Sequence, residues 1–354
     1  MTFTIGGIGF LLVLLTVLPL SPSTTKWVRV WDFPRTQVAF LLAITLLAGV
    51  LDLPLANPLT LVFIGAIALS LARQIWCIWP YTRLHAVQVK TAKTCPAEAR
   101  FRILIANVEQ GNRDSSRLLD IIKRHAPGVI LLVETDQWWD AQLEPLMADY
   151  PHVVRHPQDN TYGMHLFSRF ALEQPQIRYL VADDIPSIKA EIQVAPECTI
   201  VLYGVHPRPP PRADTAQRDA ELVLIGLEAR QAGVPVIVAG DLNDVAWSRT
   251  TDLFQGLSGL LDPRVGRGLF PTFNANWRVL RWPLDHVFIS PEFHLIGLSV
   301  LPSIGSDHFP LLVELCYQPE DADRQPPPEP KSAHGAHARE IIAEGRDARC
   351  IDKP

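Results

Sequence analysis

The chain has 354 residues, enough for one large domain and a second part, with 48% hydrophobic and only 19% charged residues. That charged share is below that of an ordinary soluble domain, and a formal net charge of −5 argues against a sequence-independent DNA binder, which would carry a basic surface. The cysteines Cys77, Cys95, Cys198, Cys316 and Cys350 are few, odd in number and unpatterned. They point neither to a disulfide framework nor to a zinc site, and leave the compartment open.

The apolar residues gather at the N-terminus. Residues 3–20 form an uncharged apolar stretch, 38–55 a second broken only by Asp52, and 59–71 the start of a third, interrupted at Arg73. A membrane-crossing helix needs about 20 apolar residues. The first two stretches meet this, and the third does if Arg73 faces a neighbouring helix or snorkels. A cleaved signal peptide is a poor reading of the first stretch, which lacks a basic start and a small-residue cleavage site. Trp27 and Trp31 in the first loop, and Trp76, Trp79 and Tyr81 after the third stretch, suit an interfacial belt. The expectation is an anchor of two or three helices over 1–80 in a bacterial inner membrane. With three spans, Lys26, Arg29 and Arg35 place the first loop and the main domain in the cytoplasm. With two, the basic residues fall on both sides and the side stays open.

Residues 81–100 read as a linker. From 101 the pattern changes to short apolar runs separated by polar or helical segments. Strands are predicted at 102–106, 129–133, 163–167, 188–194, 199–205, 234–239, 285–289 and 310–315. Helices are predicted at 116–125 and 218–231. The mixture predicts an α/β catalytic domain over 101–317. Beyond it, Pro326-Pro327-Pro328 and scattered charges predict a disordered tail over 318–354.

Polar residues sit where the predicted strands end. Asn107 and Glu109 follow the first strand and Glu134 the second. A carboxylate at the end of a buried strand is costly unless it is paired or binds a cation. His206 ends the 199–205 strand, and Asp241 and Asn243 follow Gly240 after the 234–239 strand. Their two-residue spacing puts both side chains on one side of an extended segment, where they can align a water and hold phosphoryl oxygens. Asp307-His308 follows Leu284-Asp285-His286, so Asp285 can orient His308 in an Asp–His pair while Asp307 faces a metal. Each residue alone has a plainer reading. Glu134 can be a surface carboxylate, Asn107 and Glu109 a polar turn, Asp241 and Asn243 an Asx turn, and the histidines structural. Together they are hard oxygen and imidazole groups suited to Mg²⁺ or Mn²⁺ and a phosphoester.

Taken with the Tyr162-Gly163 to Ser168-Arg169 segment, Ser306 and their shared order, these motifs resemble the endonuclease/exonuclease/phosphatase superfamily over about residues 101–316. The resemblance implies a two-sheet α/β sandwich of the deoxyribonuclease-I-like type that hydrolyses phosphoesters with Mg²⁺ or Mn²⁺. It implies Glu134 as principal metal ligand, helped by Asp307, Asn107 and Glu109. Asp241 would position or deprotonate the attacking water, and Asn243 would stabilise the transition state. His308, paired with Asp285, would contact the scissile phosphate or act as acid/base, with His206 a second phosphate contact. Several nucleases of the superfamily carry a tyrosine where this chain has His206, which separates it from them.

Arg208, Arg212, Arg264, Arg267, Arg278 and Arg281 lie between the motifs and are candidates for the mouth of the site. Trp277 and Trp282 are candidates for an apolar wall. A membrane anchor favours a phosphorylated lipid or small-molecule substrate, a phosphate ester or diphosphate. A membrane-tethered endonuclease or exonuclease, with nucleic acid as partner, is the less favoured alternative. A non-catalytic membrane-bound binding protein ranks third.

Overall fold

The computed structural model describes residues 2–195, 198–210, 214–332 and 334–351. The chain begins with helix α1 (Thr2–Val17), a short α2 (Lys26–Arg29), α3 (Arg35–Asp52) and α4 (Pro58–Ile78). Three stretches, Phe3–Leu20, Arg35–Asp52 and Pro58–Tyr81, are helical, long and apolar enough to cross a membrane. They pack together through Leu12, Val38, Leu42 and Ile67 and turn most of their large apolar side chains outward. One polar chain crosses the bundle near its domain end. Arg35 donates to Gln74 Oε1 (3.1 Å), and Gln74 Nε2 donates to Thr16 Oγ1 (3.0 Å). Arg73 meets Cys77 Sγ one turn further along α4, so it bonds within its own helix.

The α/β part comprises β1 (Arg100–Asn107), α5 (Ser116–His125), β2 (Val129–Val133), α6 (Gln137–Leu143), β3 (His152–His156), β4 (Met164–Ser168), β5 (Leu172–Arg178), β6 (Ser187–Ala195) and β7 (Cys198–Val205). It continues with α7 (Ala216–Gln231), β8 (Val236–Asp241), α8 (Arg249–Ser258), β9 (Asp285–Ile289), β10 (Phe293–Val300), β11 (Leu311–Tyr317) and α9 (His334–Ile351). The strands form two sheets, ordered β10-β11-β1-β2-β4-β3 and β5-β6-β7-β8-β9. Alternation along each strand builds the layers. In β1, Ile103 and Ile105 face the second sheet, where Ile192, Leu202, Ile237 and Val287 meet them. Leu104 and Ala106 face the other way, onto Leu118, Ile122 and Trp139 of α5 and α6. On the far side, Tyr203, Val238 and Phe288 pack against Leu222, Ile225 and Phe254 of α7 and α8. The result is a helix–sheet–sheet–helix sandwich, the fold class that the strand pattern predicts.

Strands β3, β5 and β10 are not among the predicted ones, and all three are sheet edges. An edge strand buries only part of one face and carries polar residues and proline. In β5, Leu-Glu-Gln-Pro-Gln-Ile-Arg shows no apolar alternation and is largely exposed.

Three expectations about the ends of the domain need correction. Residues 81–100 are not a free linker. Val89 is fully buried in the central core, Lys90 O and Ala92 N bracket Leu295 (2.8 and 2.9 Å), and Tyr81 donates to Ala246 O (2.5 Å). One buried valine leaves no periodic signal. Cysteines 95 and 316 form a disulfide that ties this segment to β11, a pairing that two isolated cysteines 221 residues apart could not announce. The tail expected to be disordered carries α9, whose Ala338 and Ile341 fill a groove lined by Ala220, Val223, Leu253 and Leu257. The sequence at 337–344 allows a short helix with little to hold it down; the groove supplies the hold. A Cβ on Gly345 would lie 2.4 Å from the Ala220 Cβ, so glycine permits this close crossing.

Candidate active site

All the strand-end residues arrive at one edge of the sandwich because the strands that carry them run consistently. Strands β1 and β2 are parallel, as are β7 and β8, so Asn107, Glu134, His206 and Asp241 emerge together. Strand β9 runs antiparallel to β8 with Asp285 opposite Asp241, and β11 runs antiparallel to β1, which brings Asp307 and His308 to the same edge. The open ends of such sheets are where ligands bind.

Three site residues hold left-handed backbone, Glu109 (φ 56°), Glu134 (φ 62°) and Asn243 (φ 51°), an unfavourable state for a side chain bearing a Cβ and one that gathers at functional sites. Gly240 has φ 140°, and a Cβ there would lie 2.0 Å from Val205 O. Only glycine lets β8 end so close to the strand that delivers His206.

The buried floor is an Asp–His–Asp arrangement. His308 Nδ1 donates to Asp285 Oδ2 (2.8 Å), and its Nε2 lies 3.5 Å from Asp241 Oδ2. Burial alone would lower the His308 pKa, but Asp241 and Asp285 outweigh it and push the imidazole up to about 10. Burial raises Asp241 above the usual carboxylate range, against the pull of His308. Asn107 Nδ2 donates to both Glu134 Oε1 (2.9 Å) and Asp241 Oδ2 (3.1 Å), joining the two sheets through one amide. His206 Nε2 stands 3.8 Å from Asp241 and 3.9 Å from Glu134. Asn243 N–H donates to Asp241 Oδ1 (2.9 Å), while its side-chain amide donates to Pro207 O (2.9 Å).

Above this floor, the half-buried carboxylates Glu109, Glu134 and Asp307 line the mouth. Glu109 Oε2 accepts from Asp307 N (3.0 Å), and Glu134 Oε2 accepts from Gln110 N (3.3 Å). Burial, with Glu109 and Glu134 close by, raises Asp307 to about 6 despite the opposing pull of His308. So dense a set of carboxylates suits a divalent cation. Asp241, Asp285 and His308 offer ligand atoms within 4.8 Å of one another, a group that could hold a metal ion. In that trio His308 Nδ1 is taken by Asp285, so the oxygen-rich mouth is the better fit for a hard cation.

Further residues hold the site in shape, and one of them, Arg218, is outside the motifs that the sequence singles out. Ser306 Oγ donates to Asn107 O (2.8 Å) and accepts from His308 N (2.9 Å). Buried Arg218 donates to Asn243 O (2.9 Å) and pairs with Asp219 (2.7 Å) and Asp244 (3.4 Å). His286 is structural. Arg264 donates to its Nδ1 (2.7 Å), so its Nε2 donates to Asp244 O (2.9 Å), and burial keeps the ring neutral. A buried arginine inside a helix carries no local sequence signal.

The arginine expectation needs correction. Arg264 is buried against Asp262 with its guanidinium 5.9 Å from the Tyr81 ring, and Arg267 donates to Val89 O (2.6 Å), so both tie the 81–100 segment to the domain. Arg208 reaches Asp184 (2.9 Å), and Arg212 lies outside the described residues. Trp282 packs on Phe273 and Phe33, whereas Trp277 is exposed.

A two-sheet sandwich with Asn, Glu, Asp and His side chains converging at one edge defines a phosphoester hydrolase. Residues 104–308 match the model of the Endonuclease/Exonuclease/phosphatase family, more than half of the chain, and the chain belongs to that family. It is a metal-dependent enzyme acting on phosphoester bonds. No curated protein matches the sequence. Among solved structures, an endonuclease/exonuclease/phosphatase from Beutenbergia cavernae is similar at TM-score 0.51 and 21% identity, over 62% of this chain and 72% of that one. TDP2 of D. rerio in complex with a single-strand DNA product is similar at TM-score 0.52 and 17% identity, over 61% of this chain and 99% of that one. At these identities the likeness shows the shared fold.

Proposed function

We propose that this protein is a membrane-anchored phosphoesterase that hydrolyses a phosphate ester or diphosphate of a lipid or small molecule with Mg²⁺ or Mn²⁺. The observation that carries this reading is the site's attachment to the apolar helices. The loop after Asn243 runs to Trp247, whose indole donates to Asp32 O (2.7 Å) between α2 and α3, and Tyr81 after α4 packs on the same tryptophan. A catalytic loop fixed to three membrane-length helices suits a substrate at a lipid surface.

Within this reading Glu134, with Asp307, Asn107 and Glu109, would hold the metal, and a cation bound there would supply Lewis-acid chemistry for a phosphoryl oxygen. Asp241 orients the attacking water and accepts its proton. His308, held by Asp285, donates a hydrogen bond or proton at the phosphate, where negative charge develops. His206 contacts a second phosphoryl oxygen. Asn243 keeps Asp241 in place through its backbone N–H and, with one amide hydrogen on Pro207 O, has the other for the transition state.

The test is turnover by the purified full chain in detergent with Mg²⁺ or Mn²⁺, on lipid phosphoesters and diphosphates, soluble phosphomonoesters and DNA, with Asp241→Ala as control. Lipid or small-molecule turnover lost in Asp241→Ala supports the reading. Metal-dependent DNA cleavage alone would replace it with a tethered nuclease, and metal binding without any hydrolysis would point to a binding protein.

Two features support an assignment of sidedness. Thr215 N donates to Thr24 O (2.9 Å) and Lys26 N to Asp214 Oδ1 (2.9 Å), so the first loop and the domain share one face of the membrane. The Cys95–Cys316 disulfide belongs to an oxidising compartment. Lys26, Arg29 and Arg35 argue for the cytoplasm, but Arg29 and Arg35 are buried in ion pairs with Asp32 as part of the junction's packing. We place the domain on the oxidising face.

A further inference from the structure

The segment between Phe273 and Trp282 contains no helix or extended strand, yet it touches both the catalytic floor and the first membrane-length helices. At its inner end the Phe273 ring lies 4.8 Å from that of His308, and Ala275 N donates to Asp307 O (2.6 Å). At its outer end Gln37 Nε2 donates to Val279 O (3.1 Å), and the Trp282 ring lies 6.1 Å from that of Phe33. Gln37 is in the first turn of α3. Phe40, Leu41 and Ile44 follow it at helical spacing on the same face, and all are exposed. The outward apolar stripe of α3 therefore begins beside Val279.

The segment continues that stripe. Trp277 is 60% exposed, Val279 76% and Leu280 38%, three large apolar side chains within four positions. Exposed Arg278 lies among them, and Arg281 follows, its guanidinium 4.9 Å from the Phe309 ring. A cluster of this kind on a water-facing loop marks an interaction surface. Tryptophan favours the boundary between headgroups and acyl chains, and arginine favours anionic headgroups.

We propose that residues 274–281 form a membrane-contact loop that places Trp277, Val279 and Leu280 in the interfacial layer of the bilayer crossed by α1, α3 and α4. The partner is the bilayer surface itself, on the side of the catalytic domain. Because Phe273 and Ala275 in the same segment pack on His308 and Asp307, the loop holds one wall of the cleft at headgroup level. The inference rests on the membrane-anchored reading above and adds how the site meets the lipid.

The test reads depth in reconstituted full-length protein. Single cysteines are introduced as Val279→Cys in the loop, Leu47→Cys on the exposed face of α3, and Val234→Cys at the edge of the sheet opposite the site. Native Cys77 and Cys350 are replaced by serine. Cys198 stays, because it is buried and its thiol is pushed up to about 12. Each variant carries an environment-sensitive fluorophore in phosphatidylcholine–phosphatidylglycerol vesicles containing spin-labelled lipid. The proposal expects blue-shifted, lipid-quenched emission at positions 279 and 47 and neither at 234. Quenching at 47 with position 279 matching 234 overturns the loop and leaves the anchor standing. No quenching at 47 overturns the anchor, and the loop with it.

Discussion

His308 and Asp285 form a buried pair, with Nδ1 and Oδ2 2.8 Å apart, and Asp241 stands on the imidazole's other side. The pair joins β9 to the turn before β11, so it ties one sheet to the other at the site. The carboxylate fixes which ring nitrogen is left facing Asp241, the nitrogen that the proposed mechanism turns to the phosphate. Replacing His308 with alanine is expected to lower kcat by about 10²- to 10⁴-fold, the usual worth of a positioned acid/base group. Asp285→Asn keeps the shape and loses the charge, and should lower kcat with little change in KM. Unchanged turnover in Asp285→Asn would remove the pair from the mechanism.

The metal assignment is checked without turnover. Ligand binding to the folded state raises stability by about 2.7 kcal/mol at about 100 times Kd. Thermal unfolding of the wild type should shift upward with Mn²⁺, and a chelator should reverse the shift. Glu134→Gln should lose most of it, because the principal charged ligand is gone. A full shift in that variant would move the metal to the Asp241–Asp285–His308 group.

Glu221 gives a pH prediction away from the site. It is 4% exposed on α7, its Oε1 has no hydrogen-bond partner among the described residues, and burial pushes it up to about 8 against the pull of Arg178. A folded-state pKa above the unfolded one means stability complete below the usual carboxylate range and lost as pH rises towards 8. Glu221→Gln should therefore be more stable than wild type at pH 8, by an amount on the order of a few kcal/mol, and unfold at a higher temperature. The two should converge near pH 5. Parallel curves across that range would mean the carboxyl finds a partner or water.

Gly345 tests the packing of the last helix. A side chain there meets the Ala220 Cβ at 2.4 Å and Ala216 O at 2.9 Å, and overpacking of this kind costs about 1–3 kcal/mol. Gly345→Val should release α9 and speed tryptic cleavage at Arg339 and Arg346. Equal cleavage rates in the two proteins would show that the helix does not depend on this crossing.

Sidedness is tested by fusion reporters. A C-terminal alkaline phosphatase should be active and a C-terminal green fluorescent protein dark in a bacterial host. Non-reducing mass spectrometry should find Cys95 joined to Cys316. The opposite reporter pattern with both thiols free would return the domain to the cytoplasm.

The sequence by itself determined which residues gather at the site and the kind of fold. Glu134, His206, Asp241 and Asp307 could be found because each follows a buried apolar run or a short fixed motif, so local pattern reveals both the residue and its place at a strand end. The three membrane-length helices were legible for the same reason: length and apolarity are local properties. Only the tertiary structure decided what depends on partners far along the chain. Arg218 supports Asn243, Val89 and Tyr81 anchor the 81–100 segment, and α9 is a helix because α7 and α8 offer it a groove. The contact between Val279 and Gln37 spans 242 residues. Such features carry no periodicity of their own, since their stabilising burial and hydrogen bonds exist only after distant segments have come together.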